Sequence, residues 1–107
     1  MTTDRIASIQ SLLAKNGDDV FLHYSLAMEY ASAKQWEPAV AEFHKCLELD
    51  AGYLAAYVEA GKCLLAAGRC EDAREMLLNA LNLAERQGKN HTRDTIQQQL
   101  DSLPRKT

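Results

Sequence analysis

Three cysteines, three histidines and a scatter of aspartates are the residues of this 107-residue chain with the best claim to chemistry. Their spacing argues against it. His44 and Cys46 stand two residues apart, so on a helix they face different sides and cannot share a metal. His23 and His91 each stand alone, without the His-x3-His spacing of a ligand pair. Cys63 and Cys70 are separated by a predicted helix end and have no neighbouring base to generate a thiolate. Asp4, Asp18, Asp19 and Asp50 fall at predicted helix starts, where a carboxylate caps free amides and meets the helix dipole favourably. There is no glycine-rich phosphate loop and no G-x-S-x-G. The expectation is a protein that is not an enzyme and has no cofactor and no metal.

Composition narrows the setting. Twelve Lys and Arg against fifteen Asp and Glu give a net charge of −3, the wrong sign for a nucleic-acid footprint. An apolar share of 47% is that of a globular chain, and the length is that of one domain, 1–107. No run is apolar for long enough to cross a bilayer, and MTTDRIASIQ lacks the basic start and apolar core of a signal peptide. An odd number of cysteines without a C-x-x-C pair fits three reduced, mostly buried thiols. A soluble cytoplasmic protein with no membrane contact is expected.

The elements that must position any site are helices. Ile6, Ile9, Leu12 and Leu13 mark a first amphipathic stripe, ended by Asn16-Gly17-Asp18-Asp19. Leu22, Leu26, Ala27 and Tyr30 mark a second, which fades at Ala33-Lys34-Gln35. A third begins at Trp36-Glu37-Pro38, where proline suits a first turn, and carries Ala39, Val40, Phe43, Cys46, Leu47 and Leu49. After Asp50-Ala51-Gly52 the pattern restarts with Tyr57, Ala60, Gly61 and Leu64, breaks at Gly68, and resumes with Ala73, Leu77, Ala80, Leu81 and Leu83. A last helix from Asn90 uses Ile96, Leu100 and Leu103 before Pro104. No strand-like alternation occurs.

Sliding the chain by 34 residues superimposes the second and third helices on the fourth and fifth, which is the signature of a solenoid unit. Glu37 meets Glu71, Ala39 meets Ala73, Leu47 meets Leu81 and Leu49 meets Leu83; His23 meets Tyr57, Ala27 meets Gly61 and Phe43 meets Leu77. Small residues at Ala27 and Gly61 let paired helices approach closely, with Ala39 and Ala73 expected to face them. His23-x2-Leu26-Ala27-x2-Tyr30 followed by Ala39-x3-Phe43, and Tyr57-x2-Ala60-Gly61-x2-Leu64 followed by Ala73-x3-Leu77, resemble the tetratricopeptide repeat, W-x2-L-G-x2-Y then A-x3-F and a closing proline. The closing prolines are replaced by Ala51 and Glu85, and a usual aromatic by His23.

The resemblance implies an all-α fold, a short α-α superhelix of two full repeats (20–53 and 54–87). A half repeat at 1–19, a capping helix at 88–103 and a tail at 104–107 complete it. Ile6, Ile9 and Leu12 would cover one end of the stack and the last helix the other, since about three repeats are normally needed for stability. It also implies a concave groove lined by Phe21, Tyr24, Met28 and Ala31 from one repeat and Ala55, Val58, Lys62 and Leu65 from the next. The groove would hold a peptide or helix of another protein. The family's carboxylate clamp for chaperone tails is mostly missing, because Tyr24, Met28 and Glu59 occupy three of its five places. Its last two places hold Lys89 and Arg93, which could contact a carboxylate at the groove rim, with Glu59 beside them able to pair with Arg93. A different reading is a self-assembling, homo-oligomeric subunit whose groove is filled by its own helices or by a symmetry mate.

Overall fold

The structure is a computed structural model that describes residues 2–104; the tail from 105 onward lies outside the described residues. Six helices follow one another: α1 (Thr2–Lys15), α2 (Val20–Ser32), α3 (Trp36–Leu49), α4 (Leu54–Ala66), α5 (Cys70–Arg86) and α6 (Asn90–Asp101). There is no strand among the described residues. Each helix packs on the next in sequence, giving a stack of helical hairpins 42 × 29 × 19 Å in extent. No described helix is long and apolar enough to cross a membrane.

The ends of the helices follow from local chemistry. Asp19 caps α2, its carboxylate accepting from the Leu22 amide at 3.1 Å, which is worth about 1 kcal/mol. Three helices end in the same left-handed turn. At Lys34 (φ +60°), Gly68 (φ +80°) and Gly88 (φ +70°) the chain reverses, and the next amide donates back to the carbonyl five residues earlier. Gln35 donates to Tyr30, Arg69 to Leu64 and Lys89 to Ala84, at 2.8–2.9 Å. Asp50 departs from its expected role: it ends α3, and its carboxylate accepts from the Gly52 amide (2.9 Å) to close a turn instead of capping a helix start. Asp18 lies in the turn before α2, where Asp19 has taken the cap.

Two apolar clusters hold the stack together. The first lies under α2, α3 and α4, centred on Ala27, Phe43, Cys46 and Ala60. The second lies under α4, α5 and α6, centred on Leu77, Ala80 and Ile96; α6 closes that end with Ile96 and Leu100, and Leu103, expected within the helix, packs there from the turn that follows it. Full burial of Phe43 or Leu77 contributes on the order of 1.5–3 kcal/mol each. A Cβ on Gly61 would lie 2.8 Å from a Leu77 methyl, so the close approach expected there is real. The residue that faces it is Leu77, not Ala73.

Two leucines behave otherwise than their stripes imply. Leu12 is 48% exposed, while Ile6, Ile9 and Leu13 are half-buried. At about 100° per residue, Leu13 falls between Ile6 and Ile9, and Leu12 points about 100° to one side. Leu49, in the last turn of α3, is 42% exposed although its repeat partner Leu83 is buried. Helix α5 runs three residues longer than α3, to 17 from 14, so Leu83 lies well inside its helix and is covered by the α6 cluster.

Candidate functional site

Two faces of the stack differ in what they display. The first is built from α2, α4 and the start of α6. Phe21, at the start of α2, is 66% exposed, the most exposed large apolar side chain described. Next to it on the same stripe, Tyr24 and Met28 are half-buried, as is Ala31. Across the α2–α4 join, the Tyr24 ring meets the Tyr53 ring at 5.3 Å and stands edge-on to Phe43 at 5.7 Å. These separations are those of attractive aromatic pairs. Tyr53 is a member of this surface that spacing alone does not single out, because it sits in the turn before the α4 stripe begins.

From α4, Val58 and Leu65 are half-buried and Ala55 and Lys62 exposed, so none of the eight residues expected to line a groove is buried. The ammonium of Lys62 is held by Glu59 at 3.3 Å, one turn back on the same helix. Burial pushes the Tyr24 phenol above its usual range, and the Glu59 charge adds to the rise. Burial raises Tyr53 in the same way. Both therefore present neutral hydroxyls on an apolar shelf.

The rim is arranged differently from expectation. Lys89, which immediately precedes α6, lines a cleft of about 270 Å³ with Leu54, Ala55, Val58, Glu59 and Thr92. Arg93 does not join it. Its guanidinium turns to Asp94 at 2.9 Å, while Glu59 pairs with Lys62, so the expected Glu59–Arg93 pair does not form. An i,i+3 partner on the same helix is already in reach of Glu59 without bridging two helices.

His23, Cys46 and Cys63 are packed into the structure. His23 is buried, its Nδ1 2.7 Å from a Glu42 carboxylate oxygen and its Nε2 2.8 Å from the Gly17 carbonyl. A histidine thus stands where the repeat usually has an aromatic, and it ties the α1–α2 turn to α3. Cys46 is fully buried, its thiol directed at the Val20 carbonyl at 3.7 Å. Burial, reinforced by the Glu42 charge, pushes that thiol up to about 11, and burial raises Cys63 too. Both shifts disfavour the thiolate that a nucleophilic cysteine needs. Among the described residues, no group of three His, Cys, Asp or Glu side chains could hold a metal ion. Trp36 is half-buried against the first cluster.

A succession of helical hairpins with a 34-residue period and small residues at the crossings defines a helical-repeat protein. Comparison with known families makes the class specific: the tetratricopeptide repeat profile matches residues 30–87. The chain is 31% identical over 83 residues to TPR repeat-containing protein PA0015 of Pseudomonas aeruginosa, a match covering 78% of this chain and 79% of that protein. It belongs to the tetratricopeptide repeat family. Two solved structures share its fold at a TM-score of 0.87 over 94% of the chain. One is the Yersinia enterocolitica type III secretion translocator chaperone SycD (18% identical, 70% of that chain covered). The other is PcrH in complex with the chaperone-binding region of PopD (19% identical, 77% covered).

Proposed function

We propose that this protein is a non-catalytic interaction module whose α2–α4 face holds a peptide or helix of another protein. The observation that carries this reading is Phe21, two-thirds exposed, at the edge of a shelf made by Tyr24, Tyr53, Met28 and Val58. A surface of aromatics and methionine offers large contact area for few immobilised rotamers, which is what an apolar or amphipathic segment needs. Ala55, Lys62 and Leu65 extend the shelf along α4. Lys89 supplies the rim cation, and Arg93, committed to Asp94, contributes less. PcrH, of the same fold, holds a region of PopD, which supports a protein partner without naming it. Three free cysteines, two of them buried, suit a reducing compartment such as the cytoplasm.

The test places a photo-crosslinking residue at Phe21 in one sample and at Leu78, exposed on α5, in another. Partner crosslinks should form from position 21 and fall at least tenfold when Val58→Glu is added, because a hydrated carboxylate replaces apolar contact area in the middle of the shelf. Equal crosslinking by Val58→Glu, with its helical signal intact, would falsify the groove. Light scattering across a wide concentration range separates this reading from self-assembly: the first expects the mass of one chain, the second a dimer that buries Phe21.

A further inference from the structure

The opposite face carries a second feature, a cleft between α3 and α5. Helix α4 packs against both and forms its floor. The cleft comprises two adjoining hollows of about 280 and 360 Å³ that share His44, Met76 and Asn79. Its floor is apolar, from Val40, Leu64 and Met76, all buried. Its walls are acidic: three carboxylates, Asp72, Glu75 and Glu48, stand against one cation, Arg69. Arg69 is already committed, to Glu37 at 2.6 Å and Asp72 at 2.7 Å. Glu48 and Glu75 have no ion pair or hydrogen bond among the described residues.

The repeat does not require these acids. Shifted by 34 residues, Asp72, Glu75 and Asn79 fall on Pro38, Ala41 and Lys45. In the first repeat the neighbouring carboxylate, Glu42, is taken up by His23 and Lys45. The α3–α5 cleft combines an apolar floor with two unpaired carboxylates, Glu48 and Glu75, among the described residues.

We propose that this cleft receives a lysine or arginine side chain from a basic segment of a partner protein. The match is to a side chain with an aliphatic stem and a cationic head. The stem lies over Val40, Leu64 and Met76, and the head reaches Glu75 in a charge-assisted hydrogen bond, with Glu48 adding negative charge from the adjoining hollow. A neutral apolar segment would leave both carboxylates desolvated and unpaired, which disfavours it. This surface is separate from the α2–α4 shelf and does not depend on that reading.

The test titrates the full isotope-labelled chain with a short peptide of alternating leucine and arginine, read by amide chemical shifts. Shifts should gather at Val40, His44, Met76 and Asn79. The double variant Glu48→Gln, Glu75→Gln should bind about tenfold more weakly, the effect of losing a charge-assisted contact. A peptide with citrulline for arginine should show the same loss against the unaltered chain. Both replaced glutamates are exposed, and unchanged helical content will show that the variant is folded. Equal affinity of the double variant, or shifts confined to Phe21, Tyr24 and Val58, overturns the proposal. So does a dimer that moves the same cleft resonances on dilution without peptide, since a second copy would then be the occupant.

Discussion

The two repeats bring their helices together at equivalent places and fill the contact with different chemistry. In the first, Ala27 sits at the crossing and the buried Phe43 meets Tyr24 edge-on. In the second, the equivalents are Gly61, Leu77 and Val58, with no aromatic ring among them. Beside that crossing, the first repeat holds a polar pair, the buried His23 and the half-buried Glu42, at 2.7 Å. Thirty-four residues on, the same two places hold Tyr57 and Met76, which line one hollow together. One period therefore accommodates an aromatic interior with a polar clasp and an aliphatic interior with a sulfur–aromatic neighbour. Both repeats keep a small residue at the crossing, where a larger side chain would push the helices apart.

The strongest way to break the comparison is at that crossing. Gly61→Val would drive a branched side chain into Leu77, whose methyl already lies 2.8 Å from where a first carbon would stand. The expected cost is about 2–3 kcal/mol, the range for overpacking a filled core. In the first repeat the methyl of Ala27 is already accommodated, so Ala27→Gly should cost only about 1 kcal/mol, chiefly from helix propensity. Urea denaturation of both variants measures the difference. Similar losses at the two positions would mean that the crossings are packed alike.

A smaller effect is expected where the first repeat is polar. His23→Ala removes both ring nitrogens from their partners and leaves the Gly17 carbonyl unpaired and Glu42 with Lys45 alone. The expected cost is about 1–3 kcal/mol, and it should fall on the α1–α2 turn. Amide exchange should therefore speed up in α1 and the turn more than in α5. Uniform acceleration throughout would argue against a local clasp. No comparable penalty attaches to Tyr57→Leu, whose phenol makes no hydrogen bond among those described.

Helix identity and order were readable because period and punctuation agree: apolar stripes recur at helical spacing, and Asp19, Pro38 and Gly68 stand at the joints. The small-residue crossing was readable at Gly61 for the same reason. Leu12 and Leu49 misled because a leucine on the margin of a stripe, or in the last turn of a helix, counts toward the pattern without having a neighbour to bury it. Tyr53 was hidden in a turn, where periodicity carries no information. Ion pairing was illegible in principle. Glu59 had Lys62 and Arg93 both in prospect, and only side-chain positions show that the nearer partner on its own helix takes it. The α3–α5 cleft arises in the same way, since its acids become a site only once α4 sets the spacing of two helices that scarcely touch.

The smallest expected effect lies in the turns that end α2 and α4. Lys34 and Gly68 are repeat-equivalent and both left-handed, at φ +60° and +80°. A lysine there carries a steric cost of about 1–2 kcal/mol that glycine avoids. Glycine gives back about 0.4–1 kcal/mol through the greater freedom of its unfolded chain. Lys34→Gly should therefore stabilise the protein by about 0.5 kcal/mol, raising the denaturation midpoint with an unchanged slope. At the other turn the sign reverses: Gly68→Ala should cost about 1 kcal/mol. A side-chain carbon on Gly68 would meet nothing within 4 Å, so that cost is conformational and owes nothing to crowding. Opposite signs at these two positions would show that one backbone geometry ends both hairpins, with the first repeat holding it against the preference of its residue.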